Sequence, residues 1–259
     1  MQVMTPSYDT GFVALSYLVS VVGAFIALTA VERMRSQPAG SARLLNLAAA
    51  AVSLGGIGIW TMHFFGMLSL RLGMGVSYSI PETLLSLLAA VGASALALYW
   101  VSKGLNILRL LGGGLMFGTA VLVMHYLGMQ GMRFNGFFQW SSQLVGASVA
   151  IAYAAAIAGL WLAFWARSLP LRAAASLVIG VAVCAMHYTG MAAAGFVCTS
   201  ANPPAFPTGD HLVTSLELPA LVTMVSLATA VVIAIDQMFQ RFMGGAAHQR
   251  RGSLARQAR

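Results

Sequence analysis

Histidine and methionine carry the most specific chemistry in this chain, and they recur together. Met62-His63-Phe64-Phe65-Gly66-Met67 returns as Met124-His125-Tyr126-Leu127-Gly128-Met129 and again as Met186-His187-Tyr188-Thr189-Gly190-Met191, at a constant interval of 62 residues. Gly56, Gly118 and Gly180 keep the same period, each seven residues before its histidine. Imidazole serves Cu(I) and Cu(II) alike and thioether favours Cu(I), so a site built from several of each suits copper best. On a helix, His63 and Met67 are i and i+4 and share a face, as do His125 with Met129 and His187 with Met191. Met62, Met124 and Met186 lie about 100° around from their histidines and reach a shared site only obliquely. These nine residues are the candidate metal ligands. Gly66, Gly128 and Gly190, at i+3, leave a notch beside each imidazole that permits close helix contact or admits a small ligand. Taken singly, a buried histidine is more often a hydrogen-bonded core residue and a methionine more often packing filler. Three copies at one depth reverse that weighing, because three mutually facing imidazoles need something to satisfy them.

The elements that must position these residues are membrane helices. Hydrophobic residues make up 59% of the chain and charged residues 8%, with a mean hydropathy of +0.83, a balance that suits lipid and not water. Seven apolar runs are long enough to span: Gly11–Val31, Leu44–Leu70, Thr83–Ser102, Leu110–Gly131, Ser142–Trp165, Ala173–Ala194 and Leu216–Met238. A hydrocarbon core of ~30 Å needs about 20 residues at ~1.5 Å each. The first run lacks the charged flank of a cleavable signal peptide and reads as a retained helix. Pro203, Pro204 and Pro207 keep the loop 195–215 from hiding another helix. Each motif falls near the end of an even-numbered run. The odd runs echo one another in Val22-Gly23-Ala24, Val91-Gly92-Ala93 and Val145-Gly146-Ala147. The fold class expected is an all-α integral membrane bundle, three two-helix repeats plus a seventh helix, with the even helices inside and their imidazoles near one axis.

Charge orients the bundle. With the amino terminus outside, twelve of the fourteen Lys and Arg residues fall on the inner side and only Arg71 and Arg133 outside, as the positive-inside rule requires. The formal charge of +8 is thus spread over the inner loops and the tail 242–259, with no polar domain for nucleic acid. The predicted location is the cytoplasmic membrane of a bacterium, with the carboxyl terminus in the cytoplasm and the histidines towards the outer face. Weaker candidates read as ordinary structure. Cys184, one turn inward of His187, aligns with Leu122 and Trp60 and reads as filler, and its separation from Cys198 argues against a disulfide. Trp100, Trp140, Trp161 and Trp165 read as interface anchors, His211 and Glu217 as solvated loop residues beside the outer mouth, and Asp236 as facing headgroups or the basic tail.

The three motifs resemble the MHYT domain, a bacterial seven-helix sensor module; Met186-His187-Tyr188-Thr189 spells its name and Met62-His63-Phe64 is the variant copy. The resemblance covers residues 10–241, with 242–259 a basic cytoplasmic tail. It implies a membrane sensor that binds a metal, copper by preference, through Met62, His63, Met67, Met124, His125, Met129, Met186, His187 and Met191. It further implies perception of a diatomic gas such as oxygen, carbon monoxide or nitric oxide. MHYT proteins often continue into a cyclic-di-nucleotide synthase or phosphodiesterase, a kinase or a DNA-binding domain. The expectation here is no catalytic output in the chain and a separate signalling partner. A haem or copper redox carrier, a His-liganded membrane hydrolase and a metal permease stay open as alternatives. A haem carrier leaves one histidine unexplained, and a hydrolase lacks a carboxylate near the motifs.

Overall fold

The computed structural model describes residues 2–233 and 235–236. Among them, six helices are long and apolar enough to cross a membrane: Thr10–Ser36, Ser41–Leu68, Ile80–Ser102, Ile107–Gly131, Ser142–Trp165 and Leu169–Ala192. Their outward faces carry large apolar side chains, among them Leu88 (68% exposed), Leu108 (79%) and Val181 (58%). Such a surface is stable only against hydrocarbon, and the chain is a multi-pass membrane protein. A seventh apolar helix, Leu218–Ile233, is shorter among the described residues; at ~1.5 Å per residue it rises ~24 Å. The end of the seventh predicted run, 237–238, and the tail 242–259 lie outside the described residues, as does the predicted boundary at 241.

The helices begin and end at chemistry more local than hydropathy. Helix one starts after Asp9, whose Oδ1 accepts from the amides of Gly11 (3.0 Å) and Phe12 (3.2 Å), a side-chain N-cap. Arg71 donates to Asp9 Oδ2 at 3.0 Å and, with those amides, holds the carboxyl below its usual range. At its far end helix one continues to Ser36, so Arg33 and Arg35 lie in its last turn and not in a loop. There they face the negative pole of the helix dipole. Pro81 and Pro170 sit in the first turns of helices three and six, where a missing N–H costs nothing. The predicted starts at Thr83 and Ala173 are therefore late.

The six long helices pack as a ring in chain order: one against two, two against three, three against four, four against five, five against six, and six back against one. Helix two is the most enclosed; 67% of its apolar window is buried, against 33% for helices four and six. The expectation that all even helices lie inside is thus corrected. Helix two belongs to the same ring, more enclosed than the rest, and all three even helices turn their motif faces to the axis. Helix seven explains part of the difference, since its Ser226 Oγ pairs with Thr61 Oγ1 of helix two at 2.6 Å. Helix two is also wound as a π-helix over Val52–Thr61, just before its motif, a distortion that concentrates at functional sites.

The chain is helical as expected, and the turns at the motif end are paired as short strands. These are β1 (Gln2–Met4), β2 (Ser7–Tyr8), β3 (Leu70–Arg71), β4 (Ser77–Ser79), β5 (Met132–Arg133), β6 (Gly136–Trp140), β7 (Ala194–Cys198) and β8 (Leu212–Thr214). They form three antiparallel sheets, β1-β7-β6, β2-β3 and β5-β4-β8. A strand follows each motif helix within two residues of its end. Hydropathy does not separate so short a strand from a loop, and the pairing gives partners to backbone groups that would otherwise be bare near lipid. Glu82, at the start of helix three, accepts from Arg133 of β5 and from Ser79 of β4, tying the cap to the bundle.

Candidate metal centre

Helices two, four and six bring His63, His125 and His187 to one point on the axis. Each is 0% exposed. His63 Nδ1 lies 3.1 Å from His187 Nδ1 and 3.2 Å from His125 Nδ1, and one nitrogen from each ring falls within 4.8 Å of the others. The rings meet edge to face, with centroids 5.0 Å apart for His63 with each neighbour and 5.2 Å for His125 with His187. Among the described residues this is the one cluster of three or more His, Cys, Asp or Glu side chains with metal-ligand spacing.

The glycines of the motif make this approach possible, and they do so cyclically. A Cβ on Gly66 would strike His187 Nε2, one on Gly128 would strike His63 Nε2, and one on Gly190 would strike His125 Nε2. Each imidazole therefore lies in the notch of the next motif helix: two into four, four into six, six into two. The notch expected beside each residue's own ring is in fact the seat of its neighbour's.

Proton counting sets what the cluster can do. Three neutral imidazoles carry three N–H groups, and His63 Nδ1 faces two other Nδ1 atoms at hydrogen-bond distance, yet one nitrogen cannot donate to both. The Nε2 atoms of all three rings are buried with no hydrogen-bond partner, a state that costs about 1–3 kcal/mol per group. A single cation at the Nδ1 atoms would accept all three lone pairs at once. Bonds of ~2.0–2.1 Å in tetrahedral geometry place neighbouring nitrogens ~3.3–3.4 Å apart, close to the 3.1 and 3.2 Å found. Two of the three edges of the donor set thus match one small metal ion, and the third lies within 4.8 Å.

The six motif methionines are all buried, at 0–2% exposure, but they do not share one surface. Met186 lines an apolar cavity on one side of the histidine layer. Met67 lines a pocket of about 580 Å³ at the strand end, together with Met74, Met132 and Arg71. Cys184 and Cys198 are both free. His211 is an exposed turn residue with φ of 65°, and Glu217 accepts from the Thr214 amide and hydroxyl at the start of helix seven. Trp140 lies in β6 and packs on Tyr126 and Phe138.

Three serines of the odd helices complete the setting, and sequence reasoning missed them. Ser16, Ser86 and Ser148 each stand six residues after the first residue of their helix, and each is 0% exposed. Ser16 pairs with the Tyr188 hydroxyl at 2.9 Å and Ser148 with that of Tyr126 at 2.6 Å. Phe64 has no hydroxyl, and there Trp60 Nε1 donates to Ser86 Oγ at 3.0 Å instead. Each bond holds the residue beside, or one turn before, a histidine. The common offset appears only with the observed helix starts, because the starts read from hydropathy set the three serines at unequal offsets.

The period seen in the histidines has a counterpart among known proteins. A family model described as the bacterial signalling protein N-terminal repeat, MHYT, matches residues 56–114 and 118–176. The chain belongs to the MHYT family. Each matched MHYT segment starts at a glycine of the 62-residue period and takes in one motif and the odd helix after it. The third motif lies beyond the two matched segments. Among MHYT relatives, the chain is 40% identical over 196 residues to MucR of Pseudomonas aeruginosa, a bifunctional diguanylate cyclase/cyclic di-GMP phosphodiesterase, covering 73% of this chain and 28% of MucR. It is 34% identical over 194 residues to the cyclic di-GMP phosphodiesterase NbdA of the same species, covering 72% of this chain and 24% of NbdA. It is 28% identical over 214 residues to the signalling protein YkoW of Bacillus subtilis, covering 80% and 26%. The chain thus spans only 24–28% of the length of these curated relatives. No solved structure matches it.

Proposed function

We propose that this protein is a membrane sensor in which His63, His125 and His187 hold one copper ion and the site perceives a diatomic gas or redox state. The observation that carries the reading is the buried Nδ1 cluster, with separations of 3.1 and 3.2 Å and no carboxylate among the grouped side chains. Three neutral nitrogens leave the ion its full charge and at least one open position, which suits ligand binding more than tight structural closure. Copper follows from the donor chemistry: imidazole with thioethers nearby. The methionines are proposed as a supporting set, with Met67, Met129 and Met191 on the histidine face and Met62, Met124 and Met186 oblique. Haem has little support, since the rings stand too close together to flank a macrocycle.

Bound copper would supply a redox-active Lewis acid. The residues themselves orient the rings, exclude water and couple three helices, because each imidazole is seated in the next helix. A change in ring position at one motif therefore presses on another helix, and Thr61 beside Met62 passes it to Ser226 of helix seven. In this reading the change reaches a cytoplasmic signalling output. The activities named for MucR would then reside in the part of MucR outside the aligned segment.

Two measurements test the proposal. Protein prepared with copper available should hold about one ion per chain by elemental analysis, with an optical spectrum that lacks a haem band; no metal, or a haem band, overturns it. Seven spans with the strand end outside are proposed from the division of basic residues. A fusion at Arg259 should be active with a cytoplasmic reporter and silent with one that requires the periplasm, and the opposite result inverts the site.

A further inference from the structure

One turn from the histidines, on the side away from the strands, the axis is not filled. Ile59, Val121 and Val183 each stand four residues before a motif histidine, and all three line a cavity that also touches Met186. Its wall is entirely apolar; alanines Ala24, Ala27, Ala152 and Ala156 sit where larger side chains would close it. The volume is about 40 Å³, above the ~10–15 Å³ that one water-sized molecule needs. Water gains no hydrogen bonds there, and an apolar cavity of this kind stays dry or takes an apolar guest. Ala155 and Gly159 of helix five and Ala182 of helix six belong to the wall yet are half-exposed on the bundle surface. A Cβ on Gly159 would meet nothing within 4 Å. The wall is thinnest where small residues face the lipid.

We propose that this cavity binds an uncharged apolar molecule of diatomic size, taken from the bilayer core through the Ala155, Gly159 and Ala182 window and held against the histidine layer. Apolar gases concentrate in hydrocarbon relative to water, so a side opening delivers them without crossing the β cap. The use of the guest in signalling rests on the sensor reading above; its binding does not, because no metal contact is needed to hold it.

Xenon is the probe. In methyl-labelled protein in lipid nanodiscs, xenon pressure should shift the Ile59, Val121 and Val183 methyls along a saturating curve, while lipid-facing Leu88 responds linearly. Ala152→Leu, directed into the cavity, should weaken the saturating response about tenfold or more, and Ala156→Val serves if that variant does not fold. Gly146→Ala, whose added methyl meets nothing within 4 Å and lies outside the cavity wall, should keep it. Linear response at all sites overturns the proposal, as do lipid-chain contacts to Val121 that xenon does not displace. Saturating xenon shifts in a protein that never takes copper would sink the metal reading alone. Full copper without a saturating shift would sink this one alone.

Discussion

His125→Ala is expected to abolish stoichiometric copper, lowering affinity by more than about 100-fold, while Met129→Leu holds its full complement. The asymmetry has a geometric and a chemical cause. His125 Nδ1 is one of three nitrogens crowded on the axis, 3.2 Å from His63 Nδ1, and its removal leaves two donors. Loss of an outer-shell partner already costs a metal site about 10–100-fold, so loss of a primary imidazole exceeds that range. Thioether is the weaker donor, favouring Cu(I), and leucine preserves the volume of the buried Met129 side chain. Elemental analysis of both variants, with circular dichroism to show that they fold, decides the matter. A His125→Ala protein that keeps one copper per chain would end the three-histidine reading.

Much of this site was legible in the sequence because a fixed interval of 62 residues places three histidines at equal depth on helices that run the same way. Convergence then follows from topology. The cyclic seating of each ring was not legible, because a glycine at i+3 reads as space beside its own histidine. Only packing reveals that Gly128 receives His63 and Gly190 receives His125. The serine set was missed for a different reason: Ser16, Ser86 and Ser148 lie on odd helices whose intervals differ, so the offset shows only once helix starts are fixed. The β cap was missed because strands of two to five residues carry no periodicity. The π-helical segment of helix two has no counterpart in helices four and six, and its Gly55, Gly56 and Gly58 gave no warning of it. Hydropathy located the first six spans to within a turn or two, and the errors fall at Pro81, Pro170 and Arg35, where capping and dipole effects extend a helix into polar sequence.

Gly128→Ala is expected to damage the site almost as badly as removing a ligand, although it adds one methyl group on a helix. The new Cβ would overlap His63 Nε2 and stand 3.0 Å from Cδ2 and 3.2 Å from Cε1 of the same ring. His63 has little room to withdraw, since Phe64 lies edge to face with it at 5.0 Å and its Nδ1 is engaged with both other histidines. Overpacking of this kind costs about 1–3 kcal/mol, which corresponds to roughly 5- to 150-fold in copper affinity if the strain is relieved by moving the ring off the axis. Gly146→Ala is the internal control: it too lies on a long helix, but a Cβ there meets nothing within 4 Å. That substitution should leave copper unchanged and stabilise by about 0.4–1 kcal/mol through lost chain entropy in the unfolded state. Because the seating is cyclic, Gly66→Ala and Gly190→Ala should reproduce the Gly128→Ala loss by displacing His187 and His125. Copper titration and thermal melting of the four variants provide the comparison. If Gly128→Ala binds copper as tightly as Gly146→Ala does, the glycine notches do not position the rings and the coupling proposed between the motif helices has no structural basis.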